Sequence, residues 1–173
     1  FMALLYIVLA LGVLILNIGR VPAVFHDIVY GAFNPSAVTG GVIGSFFLSM
    51  KKGVSRGIFS NEAGLGTGSI AHACADTSKP VKQGMFGIFE VFADTIVVCS
   101  MTGLVVIVTG YWNSGLQGSE LTLTAFESGM GSVARALIAI SIFLFGLTTS
   151  TGWFTYYSVI LKHWLKNNQK VLK

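Results

Sequence analysis

The residues best equipped for chemistry fall in one segment, Arg56-Gly57-Ile58-Phe59-Ser60-Asn61-Glu62-Ala63-Gly64-Leu65-Gly66. Ser60 and Asn61 carry oxygens that can take an ammonium or a hard cation. The glycines let a ligand approach the backbone closely. If a helix stops and restarts here, the freed carbonyls attract a cation, and the freed amides of the following half-helix attract a carboxylate, helped by the helix dipole. That combination suits a zwitterion. Glu62 is costly at membrane depth unless paired, and Arg56 is the nearest candidate partner. The competing reading is a connector without a ligand.

A second cluster is Phe145-Gly146-Leu147-Thr148-Thr149-Ser150-Thr151-Gly152-Trp153, with four consecutive hydroxyl residues inside an apolar run. On a helix, Phe145, Thr148 and Thr149 share a face, offering a carbonyl and two hydroxyls to a hard cation such as Na⁺. Equally, the hydroxyls can hydrogen-bond helix to helix. Trp153, one turn on, is a pocket wall or a packing aromatic. A third cluster pairs Glu90 with Asp94 four residues later on one helical face, and Asp94, Thr95, Cys99 and Thr102 form a weakly polar stripe. Carboxylates inside a membrane are functional candidates by default, although Glu90 can also be solvated at an interface. His72 reads as a packing histidine before a proton relay.

The elements that position these groups follow from composition. Hydrophobic residues make up 53% of the 173, charged residues 10%, and the mean hydropathy is +0.75. Average soluble domains carry about 25% charge, so lipid is the natural solvent. The reading is an all-α membrane protein, with spans at about 2–19, 37–75 (broken), 84–108 and 133–161 and no separate soluble domain. The chain opens within an apolar run lacking a basic leader, so a partial chain is expected rather than a signal peptide. Non-helical backbone at membrane depth is tolerated only where it lines a cavity, and an interrupted hydrophobic span points to a transport site. A rival break lies at Thr39-Gly40-Gly41, which would leave the Ser-Asn-Glu segment cytoplasmic. Residues 111–131 carry Glu120 and Glu127 but no Lys or Arg, so they read as an outer loop. The Lys79/Lys82 stretch and the basic tail read as inner.

Several classes are excluded. Cys74 and Cys99 lack metal-site spacing and read as small apolar thiols. There is no Gly-Lys-Ser/Thr phosphate loop, and no catalytic set is expected, so the protein is not read as an enzyme. The net charge of +4 comes largely from the Lys-rich tail and speaks of membrane orientation, with no nucleic-acid partner. A scaffold or assembly subunit of a membrane complex remains the alternative, but a scaffold has no need to bury a Gly-rich polar break.

The stretch Gly53-Val54-Ser55-Arg56 through Gly66 resembles the signature of the sodium:alanine/glycine symporter family. The resemblance continues through Ala71-His72-Ala73, Lys79-Pro80-Val81-Lys82-Gln83-Gly84, Asp94-Thr95 with Cys99, Ala125-Phe126, Phe145 to Trp153, and Tyr156-Tyr157. It covers nearly the whole chain in order. It implies part of a leucine-transporter-like inverted-repeat bundle, these residues being its fifth to eighth core helices. It implies Phe59, Ser60, Asn61, Gly64 and Trp153 at the substrate site and Thr148 and Thr149 as Na⁺ ligands, while Arg56, Glu62 and Asp94 read from their own charges as structural or coupling residues. Implied partners are a small neutral amino acid, Na⁺ as coupling ion without other cofactor, the lipid bilayer, and the N-terminal helices of the same transporter. The implied location is the plasma (inner) membrane, as a multi-pass protein. Ser158-Val159 stands where the family has Gly-Glu, and Thr67-Gly68-Ser69-Ile70 where a Ser-Ala-Pro-like run is usual.

Overall fold

The computed structural model describes residues 2–33, 43–62 and 65–165, which are helical apart from short connections and contain no strand. In chain order the helices are α1 (Met2–Leu16), α2 (Val21–Phe33), α3 (Ile43–Ser60), α4 (Thr67–Ala73), α5 (Pro80–Val108), α6 (Gly118–Met130) and α7 (Ser132–Trp164). A single turn of 3₁₀ helix, Tyr111–Asn113, links α5 to α6.

α1 is apolar on every side and stops where Asn17 turns its side-chain amide back to the Val13 carbonyl, at 2.9 Å. The main-chain amide of Asn17 bonds the same oxygen at 3.1 Å. The chain then swings through 99° into α2, whose Pro22 sits in the first turn, where a missing N–H costs nothing. α5 also opens on a proline, Pro80. α5 and α7 are long and apolar enough to cross a membrane, at 29 and 33 residues, and the bent α1–α2 pair is a third candidate. At ~1.5 Å per residue, each of the two long helices exceeds the ~30 Å hydrocarbon core. The chain is therefore an all-α membrane protein. α3 is not among the helices apolar enough to cross, because Lys51, Lys52 and Arg56 lie in its middle.

The core forms where α1, the second half of α5, α6 and the first half of α7 meet. Ala10, Val13, Val105, Ala125, Phe126 and Ile138 are fully buried there. Tyr6 packs its ring on Phe126 (centroids 5.6 Å apart) and edge-on to Phe145 (6.2 Å). Its hydroxyl lies 2.6 Å from Thr102 Oγ1. Since the Thr102 hydroxyl donates to the Val98 carbonyl at 2.8 Å, Tyr6 is the donor.

One expectation is corrected. Residues 111–131 are not a loop: α6 occupies most of them and contributes Ala125 and Phe126 to the core. The signal was present, since Thr122, Phe126, Gly129 and Met130 recur at helical spacing, Glu120 favours a first turn, and Gly131 ends the helix with φ 85°. The hydroxyls of α7 also do something other than join helices. Thr148, Ser150, Thr151, Thr155 and Ser158 donate to carbonyls three or four residues back in α7 itself, so each is satisfied within its own helix.

Candidate functional site

α3 ends at Ser60 and the chain leaves helical geometry. Asn61 and Glu62 form a turn, with the Glu62 amide bonded to the Phe59 carbonyl (3.3 Å) and the Leu65 amide to the Glu62 carbonyl (3.1 Å). Glu62 is left-handed (φ 51°) and is the only such non-glycine residue among those described. A carboxylate side chain in that region is strained relative to glycine, and such residues concentrate at functional positions. Gly66 follows with φ 77° as α4 begins. Ala63 and Gly64 lie outside the described residues, as do Thr39-Gly40-Gly41 of the rival break.

The end of α3 is held by α5 at a point where α5 is itself irregular. Ala93–Cys99 is π-helical, a rare widening with i to i+5 bonding that occurs most often at functional positions. Ser60 donates to Asp94 Oδ2 at 2.6 Å. Thr95 donates to Asn61 Oδ1 at 2.5 Å. The Asn61 amide nitrogen in turn donates to the Gly57 carbonyl at 3.1 Å, capping the last turn of α3.

A cavity of about 1420 Å³ opens between the α3–α4 break, α1, α4, α5 and α7. Ser60, Asn61, Glu62, Asp94, Phe145 and Thr149 all line it. The structure thus gathers residues from all three sequence clusters around one space. Its charged lining is one-sided: Glu62, Glu90 and Asp94 face it, and no described Lys or Arg does. Such a wall draws cations.

His72 of α4 bridges to α5 across this space. Its Nδ1 lies 3.2 Å from Gln83 Nε2 and its Nε2 3.4 Å from Glu90 Oε2. The Gln83 amide nitrogen can only donate, so Nδ1 accepts from it, while Nε2 lies beside the Glu90 carboxylate without forming an aligned hydrogen bond. Gly87 makes room for the ring, since a Cβ there would sit 3.3 Å from Nε2. The packing reading of His72 therefore has a definite geometry: the ring docks α4 on α5.

Other candidates fall elsewhere. Phe59 is 68% exposed and does not line the cavity. Trp153 packs against Tyr156 and Tyr157, with centroids 5.9 and 6.2 Å away, and also lies off the cavity wall. Of the Phe145–Thr148–Thr149 set, the Phe145 carbonyl and the Thr148 hydroxyl are engaged with each other at 3.0 Å. Thr149 lines the cavity, and its hydroxyl bonds no group among the described residues. The expected Arg56–Glu62 ion pair is not formed: the acid–base side-chain contacts among the described residues are His26–Asp27, His72–Glu90 and Arg135–Glu127. Five residues of helix and turn separate the two. The Glu62 carboxylate instead lies over Gly68, with Oε2 3.3 Å from where a Cβ would stand. There, in the first turn of α4, the helix dipole favours negative charge. Sequence reasoning passed over Thr95 as one member of a polar stripe, and a π-turn leaves no mark in hydropathy that would have singled it out.

Residues 1–173 match the family model described as the sodium:alanine symporter family. An uncharacterized transporter of Haemophilus influenzae is 43% identical over 159 residues, covering 90% of this chain and 35% of that protein. The sodium/alanine symporter AgcS of Methanococcus maripaludis is 40% identical over 161 residues, covering 91% and 34%. The probable sodium/glutamine symporter GlnT of Bacillus subtilis is 41% identical over 156 residues, covering 90% and 32%. The chain spans about a third of the length of these relatives. With a family match along its whole length and with apolar membrane-crossing helices, the chain belongs to the sodium:alanine symporter family.

Proposed function

We propose that this chain supplies the broken helix and the cation-facing helix of a secondary active transporter. The transporter moves a small neutral amino acid, alanine or glycine, together with Na⁺ across the plasma membrane. The observation that carries the reading is the α3–α4 break at Glu62, set in a cavity whose charged wall consists of carboxylates. The last carbonyls of α3 form the negative end of its dipole and, with Asp94 and Glu62 beside them, draw the substrate ammonium. Backbone amides of the broken segment meet the substrate carboxylate. Thr149 offers a hydroxyl oxygen to Na⁺ from α7. Phe145, packed on Tyr6, ties that wall to the core. The remaining helices of the transporter close the other side of the site.

Coupling follows if Na⁺ binds the outward-open state better than the inward-open one, since only a difference in affinity shifts the equilibrium. The sodium/alanine and sodium/glutamine pairings named for the relatives support Na⁺ coupling and an amino-acid cargo. The test is uptake of radiolabelled alanine by the full-length transporter in proteoliposomes. An inward Na⁺ gradient is expected to drive accumulation, and uptake that is indifferent to Na⁺ would defeat the coupling.

A further inference from the structure

We propose that Thr95, with Asp94 beside it, is a positioning residue: the π-helical turn of α5 fixes the direction in which the chain leaves α3 and so sets the geometry of the break. The inference rests on reading that break as the substrate site. α3 has no extended packing against another described helix. Its ties to the bundle at this end include the bonds from Ser60 to Asp94 and from Thr95 to Asn61. Both fall on the last residues before the left-handed Glu62, so they decide where the freed backbone points.

The π-turn explains how two adjacent side chains of α5 reach two adjacent residues of α3. In a regular α-helix, neighbours diverge by about 100°. A wider turn with i to i+5 bonding places more residues in each circuit and brings Asp94 and Thr95 closer to a common direction. Thr95 has the more specific task. Its hydroxyl donates to Asn61 Oδ1, which leaves the Asn61 amide nitrogen facing the Gly57 carbonyl. Without that donor the amide is free to rotate, the cap on α3 weakens, and the site must be ordered by the substrate when it binds. Substrate affinity then falls, while the transport cycle of a loaded carrier is unaffected.

The experiment uses the full-length transporter in proteoliposomes under an inward Na⁺ gradient, with radiolabelled alanine as probe. Absence of Na⁺-driven uptake by the wild type would sink the function itself and this proposal with it. Given wild-type uptake, Thr95→Val is expected to raise the alanine KM about tenfold, with the maximal rate per reconstituted molecule within about twofold. Thr95→Ser, which keeps the donor, is expected to restore the wild-type KM. Thr95→Val combined with Asn61→Ala should be no worse than Asn61→Ala alone, because both act through one bond. Thr95→Ala serves where Thr95→Val does not reconstitute, with the same expectations. An unchanged KM, a serine variant as impaired as the valine, additive losses in the double variant, or a fall in maximal rate alone would each overturn the proposal and leave the function standing.

Discussion

The contact between α1 and α6 offers a direct test of how this core is built. Gly129 of α6 sits against Val13 of α1. A Cβ at Gly129 would lie 2.6 Å from Val13 Cγ1, 3.0 Å from Cγ2 and 3.3 Å from Cβ. Ordinary van der Waals contact begins near 3.4 Å, so Gly129→Ala demands a shift of most of an ångström. Val13 cannot easily supply it: it is fully buried, and a β-branched side chain in a helix has essentially one rotamer. The helices must separate, an overpacking cost of about 1–3 kcal/mol, against which alanine's better helix propensity returns at most about 1 kcal/mol. Gly12, on the same helix as Val13, is an internal control. A Cβ there meets Met130 Sδ at 2.9 Å and Cε at 3.1 Å, but this is the mobile end of a thioether that can move aside. Gly12→Ala is therefore expected to be close to neutral. The assay is thermal loss of the monodisperse peak in detergent, measured on the full-length transporter. Gly129→Ala should lower the midpoint clearly, Gly12→Ala hardly, and Val13→Ala should recover part of the loss when added to Gly129→Ala. If Gly129→Ala matches wild type, or if Val13→Ala gives no recovery in that background, the close approach of α1 and α6 is not as described.

Two further predictions follow from particular bonds. Thr149→Val should raise the Na⁺ concentration needed for half-maximal alanine uptake, whereas Thr148→Val should do so much less, because Thr148 is already bonded to Leu144 and Phe145 while Thr149 opens on the cavity; equal effects would remove the distinction. Tyr6→Phe should cost about 1 kcal/mol through the lost bond to Thr102, and Tyr6→Ala about 3–5 kcal/mol through the lost ring contacts as well. The same detergent melting experiment ranks the two variants.

Much of the protein was legible from the order of its residues. Lipid as solvent follows from composition, because a chain with so few charges cannot cover itself with polar surface. The helices α5 and α7 follow from uninterrupted apolar length, a local property. So does the stop after α3, where glycines and polar residues cluster too densely for a helix to continue without loss. The resemblance that assigned the family is likewise a string of residue types in order. α6 was readable in principle from its helical spacing, but its acidic residues and modest length made it look like a loop while its partners in the core were unknown.

What only the tertiary structure decided is which groups face one another, because side-chain direction depends on the accumulated turn of every helix between them. Arg56 and Glu62 are close in sequence yet do not pair, since the turn after Ser60 carries Glu62 over the start of α4. Thr148 and Thr149 are neighbours of identical chemistry, yet one is spent on its own helix and the other faces the cavity. Thr95 owes its role to the π-helical stretch of α5, a widening of the backbone that residue type does not announce. The local chemistry was written in the chain, and the packing of distant helices selected which of it meets at the site.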